Sequence, residues 1–150
     1  MTEADALVTL GDAQHHQGDG ELAAAALQQA LVLFRETGNR PGEARARNAL
    51  GDVSLAAGQA APARVHHAAA LSLAGLADDQ EEQARAHSGL ADGYFRTGSP
   101  DQARDHWRQA LALWAGLGAP EADEVRAKLA AAGNGSPASA GARAPSDAGT

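Results

Sequence analysis

A period of forty residues runs through this chain and confines it to folds in which one unit stacks on the next. Leu10, Leu50 and Leu90 stand forty apart, and two residues beyond each lies Asp12, Asp52 or Asp92. The same interval relates Gly18, Gly58 and Gly98, then Ala23, Ala63 and Ala103. It continues through Ala30, Ala70 and Ala110, Leu31, Leu71 and Leu111, and Leu33, Leu73 and Leu113. The columns stay in register without a gap as far as Leu113.

Each unit reads as a pair of helices. Leu22, Ala23, Ala26, Leu27, Ala30, Leu31 and Phe34 recur at steps of three and four, which places them on one helical stripe. Ala103, His106, Trp107, Ala110, Leu111 and Trp114 repeat that stripe in the third unit. Gly18, Gly58 and Gly98 mark the break inside each pair, and Gly38 with Pro41 and Gly118 with Pro120 mark the breaks between pairs. Thr2 with Asp5 reads as a capping box opening the first helix, and Ser99 with Gln102 as another after Gly98. Pro100 suits a first helical turn. Asp78, Asp79, Glu81 and Glu82 put negative charge at a helix start, where the helix dipole favours it. Aromatic residues are only 3% of the chain, so the core must be built from Ala and Leu.

These residues resemble the tetratricopeptide repeat (TPR), whose signature runs W-x2-L-G-x2-Y, then A-x3-F, A and P. Leu10-Gly11, Leu50-Gly51 and Leu90-Ala91 match its central pair, and Tyr94 its aromatic position. Ala23, Ala63 and Ala103 match the small residue of the second helix, with Leu27, His67 and Trp107 at the F position. Leu7, Arg47 and His87 replace the W, the closing proline is absent, and the unit is 40 residues rather than about 34. Such long units are similar to those of kinesin light chain, of bacterial peptide-sensing regulators and of the C-terminal arrays of actinobacterial transcription regulators. The resemblance implies an all-α solenoid of three helix-turn-helix repeats, at about 4–38, 41–77 and 80–117, with a capping helix at 120–132. Residues 133–150, GNGSPASAGARAPSDAGT, contain no Leu, Ile, Val or aromatic residue and are expected to be a disordered tail.

The resemblance also implies that the first helix of each pair lines a concave groove that binds a peptide or partner segment. Carried over position by position, Asp12, Asp52 and Asp92 form an acidic column there. Arg45 and Arg85 lie two turns before Asp52 and Asp92 on the same face, with Asn48 and Ser88 between them. Leu55 and Phe95 give the stripe an apolar end, with His15 at the first-unit position. Arg forks and Asn amides suit the backbone and carboxylates of a peptide, and Asp rows suit its cations. The competing reading is that Arg85 simply pairs with an Asp of the adjacent repeat.

Other chemistries find no support in the sequence. With no cysteine there is no disulfide, thiolate metal site or cysteine nucleophile. His15-His16 and His66-His67 are adjacent and point about 100° apart on a helix, so no metal site and no cofactor is expected. Thr9, Ser54, Ser72 and Ser88 lie within helices without a partnered base, so an enzyme is not expected. Charge −7 without a basic cluster argues against direct nucleic-acid binding. No stretch approaches the roughly 18 apolar residues of a membrane span. The N-terminus MTEADALVTLGD has no positive n-region or apolar h-region, so the expected location is cytoplasmic. A protein-interaction module is therefore expected. The alternatives are a sensor array of an actinobacterial transcription regulator, and a homo-oligomerisation module acting through the uncovered N-terminal repeat.

Overall fold

The structure, a computed structural model, describes residues 1–135. Helix α1 spans Glu3–His16, α2 Gly20–Glu36, α3 Arg40–Ala56, α4 Ala60–Leu76, α5 Gln80–Arg96, α6 Pro100–Gly116 and α7 Glu121–Gly135. Among the described residues there is no strand. The last helix thus runs three residues past Ala132, and the expected disorder of the tail from residue 136 lies outside the described residues.

One turn geometry is used at every corner. The amide of Asp19 donates to Gln14 O, Asn39 to Phe34 O, Gln59 to Ser54 O, Asp79 to Ala74 O, Ser99 to Tyr94 O and Ala119 to Trp114 O, each at 2.9 Å. Such a back bond needs a residue of positive φ just before it. Gly18, Gly58 and Gly98 supply that residue at φ +84°, +77° and +81°, and Asp78 is the one non-glycine to do so, at +53°. Capping varies more. Thr2 and Asp5 form the expected box, and Asn39 and Asp79 accept from the amides of Gly42 and Glu82. Ser99 makes no such bond, contrary to the sequence reading, although Pro100 does open α6.

The pairs α1/α2, α3/α4 and α5/α6 are hairpins stacked in order, and α7 closes the last. Helices α1, α3 and α5 also touch one another directly, which α2, α4 and α6 do not do to a comparable extent. Closer approach on one side bends the stack, so α1, α3 and α5 form the concave wall of an all-α, TPR-like solenoid.

Small residues on α2, α4 and α6 also let these helices pack closely on α1, α3 and α5, because helices separated by Ala and Gly can come to about 8 Å. Ala23, Ala63 and Ala103 are fully buried, as are Ala30, Ala70 and Ala110. One apolar cluster centres on Leu27, Leu31 and Phe34. A second centres on Trp107 and Trp114, over which Ala122, Val125 and Ala132 of α7 close. Between them, at the middle of the stack, the equivalent of Leu27 and Trp107 is His67.

Candidate partner-binding face

His67 organises the floor of the concave wall. Its ring is fully buried between Gly51 and Gly89, where a Cβ on either would fall 2.4 and 2.3 Å from Nε2. Asn48, also fully buried, donates from Nδ2 to the carbonyl of Glu82 at 3.0 Å and to its carboxylate at 2.8 Å. Asn48 Oδ1 therefore accepts from His67 Nδ1–H at 2.8 Å, which fixes the imidazole tautomer. Nε2 is left as a lone pair, 3.5 Å from Asp52 Oδ1 and without a hydrogen bond. Burial lowers the His67 pKa to about 4, so the ring is neutral at pH 7.

Above that floor, ion pairs cross each seam between hairpins. Arg45 meets Asp5 at 2.5 Å, Arg85 meets Asp52 at 2.8 Å, and Lys128 of α7 meets Asp92 at 3.1 Å. Arg85 also lies 3.7 Å from Glu82. Burial pulls the Arg85 guanidinium down, but Asp52 and Glu82 outweigh it and hold its pKa above the ordinary value. Burial raises Glu82. A hydrogen bond from the Thr2 amide, and then Arg45, lower the Asp5 pKa to about 2. Arg, Lys and Asp rows thus interlock as pairs of adjacent repeats, each partly exposed and therefore screened by solvent. Asp12 has no ion-pair partner among the described residues.

The expected site residues accordingly divide. Asp12, Arg45, Asp52, Arg85, Ser88 and Asp92 reach the concave surface in part, and Phe95 is 45% exposed. Asn48 and Leu55 do not. Both are buried, Asn48 with its polar groups consumed by Glu82 and His67, and Leu55 beside the next hairpin, whose Arg96 donates to the Leu55 carbonyl at 2.5 Å. Leu55 therefore forms no apolar end with Phe95. That end is a cleft of about 270 Å³ lined by Phe95, Trp107, Ala131 and Ala132, with Asp92, Arg96 and Lys128 around it. Trp107 donates its indole N–H to Asp92 at 3.2 Å and lies 5.4 Å from the Phe95 ring.

Sequence reasoning missed Asp5, Glu82, Arg96 and Lys128. Two were within its reach, since Asp5 and Lys128 lie forty residues from Arg45 and Ser88 in the same columns. On the edge of the stack, His87 and His106 share a hydrogen bond between their Nδ1 atoms at 2.9 Å. Burial, helped by the neighbouring His106, brings His87 down to about 4. No group of three or more potential metal ligands forms among the described residues. No helix there is long and apolar enough to cross a membrane.

Residues 2–75 match the family model of the tetratricopeptide repeat. The fold is similar to the crystal structure of nearly identical TPR-like repeats from a putative kinesin light chain of Podosopora anserina. That likeness has a TM-score of 0.73 at 18% identity and covers 88% of this chain and 67% of the other. No curated protein matches the sequence. The family match covers just under half of the chain, and the structural likeness shows a shared fold, that of TPR-like helical repeats. A likeness to actinobacterial regulators finds no support in these comparisons.

Proposed function

We propose that the chain is a non-catalytic interaction module that holds a peptide or partner segment along its concave face. The observation carrying this reading is the uneven end of that face. Phe95 stays 45% exposed beside Ala131, Arg96 and Lys128, whereas its repeat equivalent Leu55 is covered. An exposed aromatic ring in a cleft rimmed by cations and an acid is the composition of a binding hot spot. Asp12, without an ion-pair partner among the described residues, supplies acid toward the other end. The test is affinity capture with Asp52→Ala/Arg85→Ala, which removes both partners of one seam pair; because Arg85 also faces Glu82, circular dichroism is read on the same variant. Loss of captured protein with native circular dichroism is expected; undiminished capture would contradict the reading.

A second reading, self-association, rests on one column. Leu10 is 47% exposed, but Leu50 and Leu90 are 3% and 5% exposed because a preceding hairpin covers them. Glu3, Ala6, Leu10, Ala13 and Gln17 follow one another at steps of three and four, and all are exposed. Antiparallel pairing of α1 with a second copy sets Leu10 on Leu10, Ala6 on Ala13 and Glu3 beside Gln17, so the face is complementary to itself. Sedimentation should show a dimer that Leu10→Glu abolishes, and a strict monomer at high concentration would exclude it.

A further inference from the structure

The seams between hairpins are equivalent by repeat but are not filled alike. Between the second and third hairpins, Arg64 occupies the slot at the edge of the stack. Its guanidinium lies 4.9 Å from the centre of the Tyr94 ring and donates to Thr97 Oγ1 at 3.0 Å and to the Gly93 carbonyl at 3.5 Å. Its stem sits where a Cβ on Gly93 would be, 2.7 Å from Cγ. Tyr94 in turn stacks on His106, with centroids 5.6 Å apart and planes within 6°.

Forty residues earlier the same positions hold Ala24 for Arg64, Val53 for Gly93, Ser54 for Tyr94 and Ala57 for Thr97. His66 still stands where His106 does. A guanidinium and a phenol are missing, and what remains is a cleft of about 590 Å³ that Ala24, Ser54, Ala57 and His66 help to line. Its floor is apolar, made by the buried side chains of Leu50 and Val53. Glu21 is among its lining residues, and the last turns of α1 and α3 reach it through His15 and Ala56. The C-terminal end of a helix is the negative pole of its dipole, so both ends and Glu21 favour a cation. His66 is tethered by Arg47 at 3.3 Å, and among the described residues no side-chain ring lies over it as Tyr94 lies over His106.

We propose that this cleft is a docking slot for an adjacent aromatic–arginine pair of a partner polypeptide. The partner's ring takes the place of Tyr94 and lies on His66. The partner's guanidinium takes the place of Arg64, between Glu21 and the carbonyl end of α3. The chain shows in its own second seam that the fold accepts these two groups side by side, and the slot is apart from the Phe95 end of the concave face.

The probe is acetyl-Tyr-Arg-amide, titrated into the full chain labelled with nitrogen-15. Amide shifts should centre on Ala24, Gln28, Ser54 and Ala57, with a dissociation constant on the order of 1 mM. Acetyl-Tyr-Gln-amide and acetyl-Ala-Arg-amide should each bind about tenfold more weakly. Glu21→Gln should bring the Tyr-Arg probe down to the level of the Tyr-Gln probe. Ser54→Tyr, at a partly exposed position, restores the missing ring and should abolish binding while leaving circular dichroism and thermal melting native. Equal binding by Ser54→Tyr, shifts centred on another surface, or tighter binding of benzamidine than of the dipeptide would each overturn the proposal.

Discussion

His67 Nδ1 lies 2.8 Å from Asn48 Oδ1, joining α4 to α3 through two side chains that are both completely buried. A histidine here stays neutral, because the cost of burying its charge, with Arg85 and His66 nearby, outweighs the attraction of Asp52 and Asp92. Burial lowers its pKa from 6.5 to about 4, so the unfolded chain binds a proton over that interval that the folded chain does not. Its stabilising contribution is complete above pH 6.5 and is lost as the pH falls toward 4.

Between about pH 7.5 and pH 5 this one residue should therefore remove about 2 kcal/mol of stability. Asn48→Val/His67→Leu copies the Val8 and Leu27 of the first hairpin. Urea midpoints of that double variant should depend less on pH by about that amount, retaining the part due to His87. An unchanged dependence would show that the ring does not control it.

Gly89 is required by a contact rather than by its backbone angle. A methyl group there would overlap the His67 ring, at 2.3 Å from Nε2, and the ring has no exposed side toward which to move. Gly89→Ala should lose roughly 1–3 kcal/mol in chemical denaturation. Gly75→Ala, where nothing lies within 4 Å of the new Cβ, should be neutral or slightly stabilising.

Asp78 holds a φ of +53° at the position that Gly38 and Gly118 occupy in the other inter-hairpin turns. A left-handed backbone is disfavoured by about 1 kcal/mol for a residue with a Cβ. Asp78→Gly should raise the melting temperature by a few degrees, and Gly38→Asp should lower it by a similar amount.

The helices and their stacking were legible because a forty-residue period carries the same small and apolar residues into every seam. The polar centre was not. The column of Val8, Asn48, Ser88 and Lys128 passes from apolar to charged along the chain. Whether Asn48 faces a groove or a core depends on Glu82, thirty-four residues away on the next hairpin. Ser99 makes the same turn bond as Asn39 and Asp79, yet unlike theirs its side chain accepts no amide of the following helix, and nothing in the structure explains that difference. Leu55 and Phe95 looked equivalent in sequence, but the third hairpin packs beside Leu55 and its Arg96 donates to the Leu55 carbonyl, whereas Phe95 beside α7 stays 45% exposed.

The concave face as the place where another polypeptide lies is tested most directly by photo-crosslinking in native extract. A photoreactive phenylalanine analogue at Ser88 or Phe95 reports on that face, and one at Val65, exposed on α4, reports on the outside of the stack. Discrete adducts from Ser88 and Phe95 and none from Val65 are predicted. Adducts from Val65 alone would contradict the account.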